Sequence, residues 1–273
     1  MEVDFTQLQE EARRLRLQTM EMLKEAGSGH PGGSLSEVEL LTVLYSCFMK
    51  IDPDMPLWPE RDRFVLSKGH ANPPLYALLA NKGFFPQETL MTLRKTHSIL
   101  QGHPDMHKTP GVDYSTGSLG QGLSAAVGMA LAAKHLHKSY RVYVLTGDGE
   151  LQEGMVWEAF MAAAHYCLDN LTILIDYNKL QIDGPVAEVM SLGDLEAKLC
   201  AFGLKVIRIN GHDLSAIYDA LSQSVKDQPL CILADTIKGR GVSFMENNLA
   251  FHGALPQGEK MTQALQELGG VFT

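Results

Sequence analysis

Two stretches govern how the fold is read: residues 141–150, RVYVLTGDGE, and residues 171–179, LTILIDYNK. Each opens on a short run of β-branched and apolar residues and closes on a polar turn. Such near-continuous apolar runs suit strands buried on both faces of a parallel sheet. Helical spacing from Val156 to Tyr166 lies between them and supplies one crossover, which makes the two strands parallel neighbours. In Gly147-Asp148-Gly149 the glycines let backbone N–H groups approach an anion, and Asp148 offers a carboxylate for a hard cation such as Mg²⁺. Asn178 follows Asp148 by 30 positions, so one sheet edge receives both oxygen ligands. Gly-Asp-Gly alone is more often a plain turn, and Asn178 alone an Asx turn or a cap. Together they point to a metal-bridged diphosphate.

Outward from this pair, Phe64-Val65-Leu66, Val206-Ile207-Arg208-Ile209 and Cys231-Ile232-Leu233-Ala234 read as further strands, with a helix over Leu123 to His135. The pattern predicts an α/β fold, a parallel β-sheet with helices on both faces, whose ligands sit at the carboxyl ends of the strands. Thr6 and Gln9 form a candidate capping box for a helix carrying Leu8, Ala12, Leu15, Met22 and Ala26 and stopped by Gly27. A second helix is expected over Ser36 to Met49, and a short one over Lys260 to Leu268. Residues 1–273 read as a single domain with a short tail from about residue 255.

The chain has 273 residues, 45% of them hydrophobic, enough for a substantial core, and a formal net charge of −9. An acidic chain offers no footprint for nucleic acid and is repelled by anionic membranes. No apolar run reaches the roughly 18 residues of a membrane span, and the first residues lack a signal-peptide core. Cys47, Cys167, Cys200 and Cys231 form no CxxC pair. They read as small buried residues of a reduced, cytoplasmic protein.

Among the ten histidines, His30, His70, His103 and His252 are singled out, each beside glycine in a polar turn. One such histidine is usually surface decoration. Four in flexible-backbone settings, two of them as Gly-His-Pro, argue for convergence on one cleft, where imidazoles relay protons or donate to hydroxyl and phosphate oxygens. The other six have no zinc-site spacing. No Walker loop, nucleophile elbow or dinucleotide turn occurs.

The Gly-Asp-Gly…Asn spacing resembles the thiamine-diphosphate fingerprint. The runs SGHPGGSLS (28–36), DRFVLSKGHANPPLYALL (62–79), GHPD (102–105), TGSLGQGLSAAVGMALA (116–132), TGDGELQEGMVWEA (146–159), DYNKLQIDG (176–184) and FHGALP (251–256) resemble the N-terminal half of transketolases. The resemblance implies that Asp148, Asn178 and the Leu180 carbonyl bind the metal, Mg²⁺ with Ca²⁺ or Mn²⁺ as alternatives. It further implies that Gly149, His70 and His252 contact the diphosphate, that Leu119 lies by the thiazolium, and that Gly117, Asn178 and Glu153 also belong to the cofactor site. His30, His103 and His252 would face the donor sugar, and Glu153 would join a carboxylate network at a subunit interface. Two departures stand out. Ser118 replaces a common proline, and the segment 238–248 differs from single-chain enzymes. Lys238 and Arg240 there read as a solvated loop able to reach phosphate.

The function so implied is thiamine-diphosphate-dependent transfer of a two-carbon ketol unit between sugar phosphates. Alternatives are a branched or sulfonated ketose donor, or a non-catalytic cofactor-binding subunit. The family also needs a glutamate from a pyrimidine-binding domain, for which no α/β unit remains after His252. A separately encoded C-terminal transketolase subunit is therefore expected as partner, two of each chain forming a heterotetramer; the alternative is that this sequence is a piece of a longer chain.

Overall fold

The computed structural model describes residues 3–270. Among the described residues there are seven strands: β1 (Arg63–Leu66), β2 (Val142–Gly147), β3 (Leu171–Tyr177), β4 (Leu180–Gln181), β5 (Gly184–Pro185), β6 (Lys205–Asn210) and β7 (Leu230–Asp235). The helices are α1 (Phe5–Ala26), α2 (Pro31–Ser36), α3 (Val38–Val43), α4 (Pro73–Asn81), α5 (Gln121–His135), α6 (Gly154–His165), α7 (Val186–Val189), α8 (Leu195–Ala201), α9 (Leu214–Leu221) and α10 (Glu259–Glu267). Five strands form one sheet in the order β1-β2-β3-β7-β6, every pairing parallel. β4 and β5 form a separate antiparallel ribbon. All five strands expected from the sequence lie in the main sheet.

Strand pleating divides the core in two. Tyr143 and Leu145 of β2 pack with α1, α3, α4, α9 and α10 on one face. Val142 and Val144 pack with α5, α6 and α8 on the other. The central strands are apolar over most of their length because both faces are covered, with polar residues gathered mainly at their carboxyl ends.

Three local expectations are corrected. Asp4, not Thr6, caps α1: its carboxylate accepts from the N–H groups of Thr6 and Gln7, both at 3.0 Å. Gly27 does close that helix, at φ 65°. The single helix expected over Ser36 to Met49 is broken. α2 ends at Ser36, Glu37 breaks the path at φ −98°, ψ 0°, and α3 runs into a π-helical turn over Leu44–Phe48. Of the cysteines only Cys231, on central strand β7, is buried; Cys167 and Cys200 are exposed and Cys47 is intermediate. Cys167 sits in the turn after α6 at φ 51°, and Cys200 on the outer side of α8, so neither meets the core. No helix among the described residues is long and apolar enough to cross a membrane.

The start of α5 is pressed onto the end of β1. A Cβ added to Gly122 would lie 2.7 Å from the Ser67 Cα and 2.6 Å from its Oγ. Backbone cannot yield there as a flexible side chain can, so Gly122→Ala should destabilise the fold by about 1–3 kcal/mol. Urea denaturation measures this, and an unchanged midpoint would show that the helix can be lifted freely off the strand.

Candidate active site

Gly147 of β2 lies in register with Asp176 of β3, so the turns after these strands sit side by side. Asp148 is buried, 2% exposed. One of its oxygens accepts from Gly149 N at 2.8 Å and the other from Lys179 N. Burial, reinforced by Asp176, pushes the Asp148 carboxyl up to about 7. Asn178 is also buried. Its amide nitrogen donates to Asp176 Oδ2 at 3.2 Å, while its oxygen accepts from Leu180 N at 3.2 Å. Asp176 thereby fixes which end of the amide is oxygen. The ribbon pairing of Leu180 with Pro185, plus Val186 N to Lys179 O at 2.9 Å, holds the Leu180 carbonyl beside the turn.

These three groups present one carboxylate, one amide and one carbonyl oxygen, a hard, weakly charged set that suits a small divalent ion still carrying diphosphate oxygens. Among the described residues no group of three or more His, Cys, Asp or Glu side chains is placed to hold a metal.

Three imidazoles meet beside the turn. The ring centroids of His30 and His70 are 5.0 Å apart, those of His30 and His252 5.6 Å, and those of His70 and His252 5.7 Å. The Nδ1 atoms of His30 and His252 are buried without a hydrogen-bond partner. Buried polar atoms normally have partners, and these orphans fit a site shaped for a polar ligand. His103 packs its ring against Gly117, where a Cβ would lie 3.0 Å from the His103 Cδ2 and φ is +150°. Tyr76 holds this loop from below, its hydroxyl reaching the carbonyls of Gln101 at 3.0 Å and His103 at 3.1 Å. Gly32 lets the His30 loop close on the His252 loop: a Cβ there would lie 2.9 Å from the Phe251 carbonyl.

The imidazoles are held neutral. Burial, with Lys68 adding to it, takes His70 down to about 2; burial and Lys238 take His252 down to about 4. Burial and Arg94 lower both His30 and His103.

Glu150 is buried beneath the turn and accepts from Ser67 Oγ at 2.5 Å, Gly120 N at 2.8 Å and Gly147 N at 3.1 Å, tying three loops together. Gly149 faces Gln181, and Leu119 is half-buried in the loop before α5. Glu153 stands apart from the histidines, exposed at the start of α6 beside Gly120 and making no capping bond.

Sequence reasoning assigns no role to Lys68 or Arg94 and misplaces Lys238. Lys68 Nζ is buried between Asp176 at 2.6 Å and Glu37 at 2.7 Å and donates to the Gly33 carbonyl at 2.9 Å. Burial opposes the Lys68 charge, but Asp176 and Glu37 outweigh it and raise the lysine; burial pushes Glu37 up to about 8. Arg94 adopts φ 62° and lays its guanidinium over Gly102, close to His30 and His103. Lys238, expected in a solvated loop, is 3% exposed and donates to the Leu180 carbonyl at 3.0 Å. Gly32, from the opposite end of the chain, is part of what covers it. Arg240 does stay near the surface, paired with Glu246 at 3.2 Å.

A parallel sheet that presents a Gly-Asp-Gly turn and an asparagine on adjacent strands defines a thiamine-diphosphate-binding class of domain, and comparison with known proteins narrows it. The family described as "Transketolase, thiamine diphosphate binding domain" matches residues 8–271, and the chain belongs to that family of transferase components. It is 50% identical over 263 residues, 96% of each chain, to the 6-deoxy-6-sulfo-D-fructose transketolase subunit SqwG of Clostridium sp. (strain MSTE9). It is 43% identical to an apulose-4-phosphate transketolase subunit of Phocaeicola vulgatus, covering 98% of this chain and 95% of that one. Human transketolase is 44% identical, but the chain spans only 42% of its length. The crystal structure of Campylobacter jejuni transketolase superposes with a TM-score of 0.91 at 37% identity, over 98% of this chain and 43% of that one.

The depressed His70 has a consequence for stability. Between its native value of about 2 and the ordinary value of about 6.5, the unfolded state binds a proton that the native state does not. Stability therefore falls as the pH falls through this window. His70→Asn should lose less stability than the native sequence between about pH 7 and about pH 5. Urea titrations at the two pH values give the slopes, and equal slopes would mean that His70 is not held neutral.

Proposed function

We propose that the chain, as one domain over residues 1–273, is the diphosphate-binding subunit of a two-chain transketolase. It takes part in moving a two-carbon ketol unit from a ketose phosphate to an aldose phosphate, with thiamine diphosphate and Mg²⁺. The observation that supports this reading is that the turns carrying Asp148 and Asn178 lie side by side, that the His30, His70 and His252 rings cluster, and that Lys238 stands between the two groups, bonded to the Leu180 carbonyl and acting on both Asp148 and His252. When bound, thiamine diphosphate supplies a nucleophilic thiazolium carbon that carries the fragment.

The chain's own residues bind, orient and move protons. Asp148, Asn178 and the Leu180 carbonyl would ligate the metal. Gly149, His70 and His252 would hold diphosphate oxygens, and Gly117 and Leu119 would pack by the thiazolium. His30, His103 and His252, neutral and orphaned or half-open, would pass protons at the sugar C1 and C2 oxygens. A neutral imidazole can accept at one nitrogen while donating at the other, which suits both halves of a reversible transfer. Glu153, exposed by Gly120, would lie at a subunit contact. The partner is a C-terminal subunit supplying the pyrimidine-binding domain, in a cytoplasmic heterotetramer of pentose-phosphate type.

A second reading concerns the donor. The relatives matched along almost their whole length are named for a sulfonated ketose and for apulose, which favours a branched or sulfonated donor over the common pentulose phosphate. A donor screen on the reconstituted two-chain complex separates the readings. Turnover confined to pentulose phosphates would remove the second.

Two outcomes test the main proposal. Asp148→Ala should abolish thiamine-diphosphate binding, since the diphosphate charge is neutralised only if the metal is held; calorimetry showing unchanged affinity would sink the metal assignment. The purified chain with cofactor, Mg²⁺ and a ketose phosphate should be inactive until a C-terminal subunit is added. Robust transfer by the chain alone would refute the two-chain reading.

A further inference from the structure

Lys238 brings a positive charge to an oxygen that the proposed metal also needs. Its Nζ lies 3.0 Å from the Leu180 carbonyl, and no carboxylate among the described residues lies within ion-pairing distance of it. Its stem is confined: a Cβ on Gly32 would sit 3.1 Å from the Lys238 Cγ and 3.2 Å from its Cε. The backbone is tied on both sides, by Gly239 N to Gly32 O at 3.0 Å and Asn247 N to Lys238 O at 2.9 Å. The ammonium is thus delivered to Leu180 by a packed stem rather than by a mobile surface chain. Burial and Lys68 work against its charge, while Asp176 and Asp148 favour it.

A divalent ion of Mg²⁺ type takes its oxygen ligands at about 2.1 Å, so at the Leu180 carbonyl it would share the oxygen's two lone pairs with the ammonium and stand only a few ångström from it. The two cations also repel. Resting on the metal site proposed above, we infer that Lys238 competes with the divalent cation for the Leu180 carbonyl. The metal is then bound tightly only together with the diphosphate, whose oxygens offer the ammonium another acceptor. Lys238 couples the two ligands. By reciprocity each strengthens the other by the same factor, typically 5–150-fold for such couplings.

Equilibrium dialysis of Mn²⁺ against the purified full chain tests this, with and without thiamine diphosphate. The native sequence should bind Mn²⁺ weakly alone and more tightly with the cofactor. Lys238→Met should bind Mn²⁺ alone about tenfold more tightly than the native sequence, and the gain from the cofactor should shrink by a similar factor. Lys238→Gln, which keeps a donor but loses the charge, should move in the same direction, and near-UV circular dichroism identifies a variant that has merely unfolded. Unchanged or weaker Mn²⁺ binding by both folded variants would overturn the competition. If Asp148→Ala leaves Mn²⁺ uptake intact in every background, the metal site itself is wrong and the competition falls with it.

Discussion

Lys68, Glu37 and Asp176 meet almost out of reach of solvent under the carboxyl edge of the sheet. A lysine ammonium placed there without its acids would be intolerable, and removing one partner from such a buried pair typically costs about 3–5 kcal/mol. From this cluster the bonds radiate into the site. Lys68 holds the Gly33 carbonyl, and with it the turn that carries His30. Asp176 accepts from Ser36 Oγ at 2.6 Å, from Thr236 Oγ1 and from the Asn178 amide. One carboxylate thereby orders α2, the exit of β7 and the proposed metal ligand on β3. The loops of the site owe their common geometry to a buried charge cluster that need touch no ligand.

The second constraint is electrostatic balance around the imidazoles. Lys68, Lys238 and Arg94 all lie near them and all disfavour a proton on the rings. The site thus keeps its positive charge on ammonium and guanidinium groups and leaves the histidines free to exchange protons. Lys238 and Arg94 would attract an anionic ligand without the bases having to be charged first.

The sheet was legible because each strand is a compact apolar run between polar turns, and because both faces are covered. The site was legible in outline for a related reason: the ends of β2 and β3 must lie together, so Asp148 and Asn178 follow from topology. What stayed hidden depends on long-range contacts. Glu37 looks like an ordinary residue of a continuous helix, but the helix breaks there, and its carboxylate reaches Lys68. Lys238 looks solvated because Gly32, which helps to cover it, is far away in sequence. Arg94 sits in a run of polar residues that nothing local marks, and its left-handed backbone serves a tertiary turn closed by Arg94 N to Leu100 O at 2.8 Å. Thr6 resembles a cap by its spacing to Gln9, but Asp4, two residues earlier, supplies the acceptor.

The strand order also sets a timetable for synthesis. β1 pairs with β2, from residue 66 to residue 142, and β3 pairs with β7, which ends at residue 235. Such distant pairings form slowly and leave apolar strands uncovered while the ribosome works. The histidine cluster joins residue 30 to residue 252, so it closes only after nearly the whole described chain has emerged. A small molecule that recognises the finished cluster has nothing to grip on a nascent chain. It can act as a late clasp on a sheet already built, never as a template for building it.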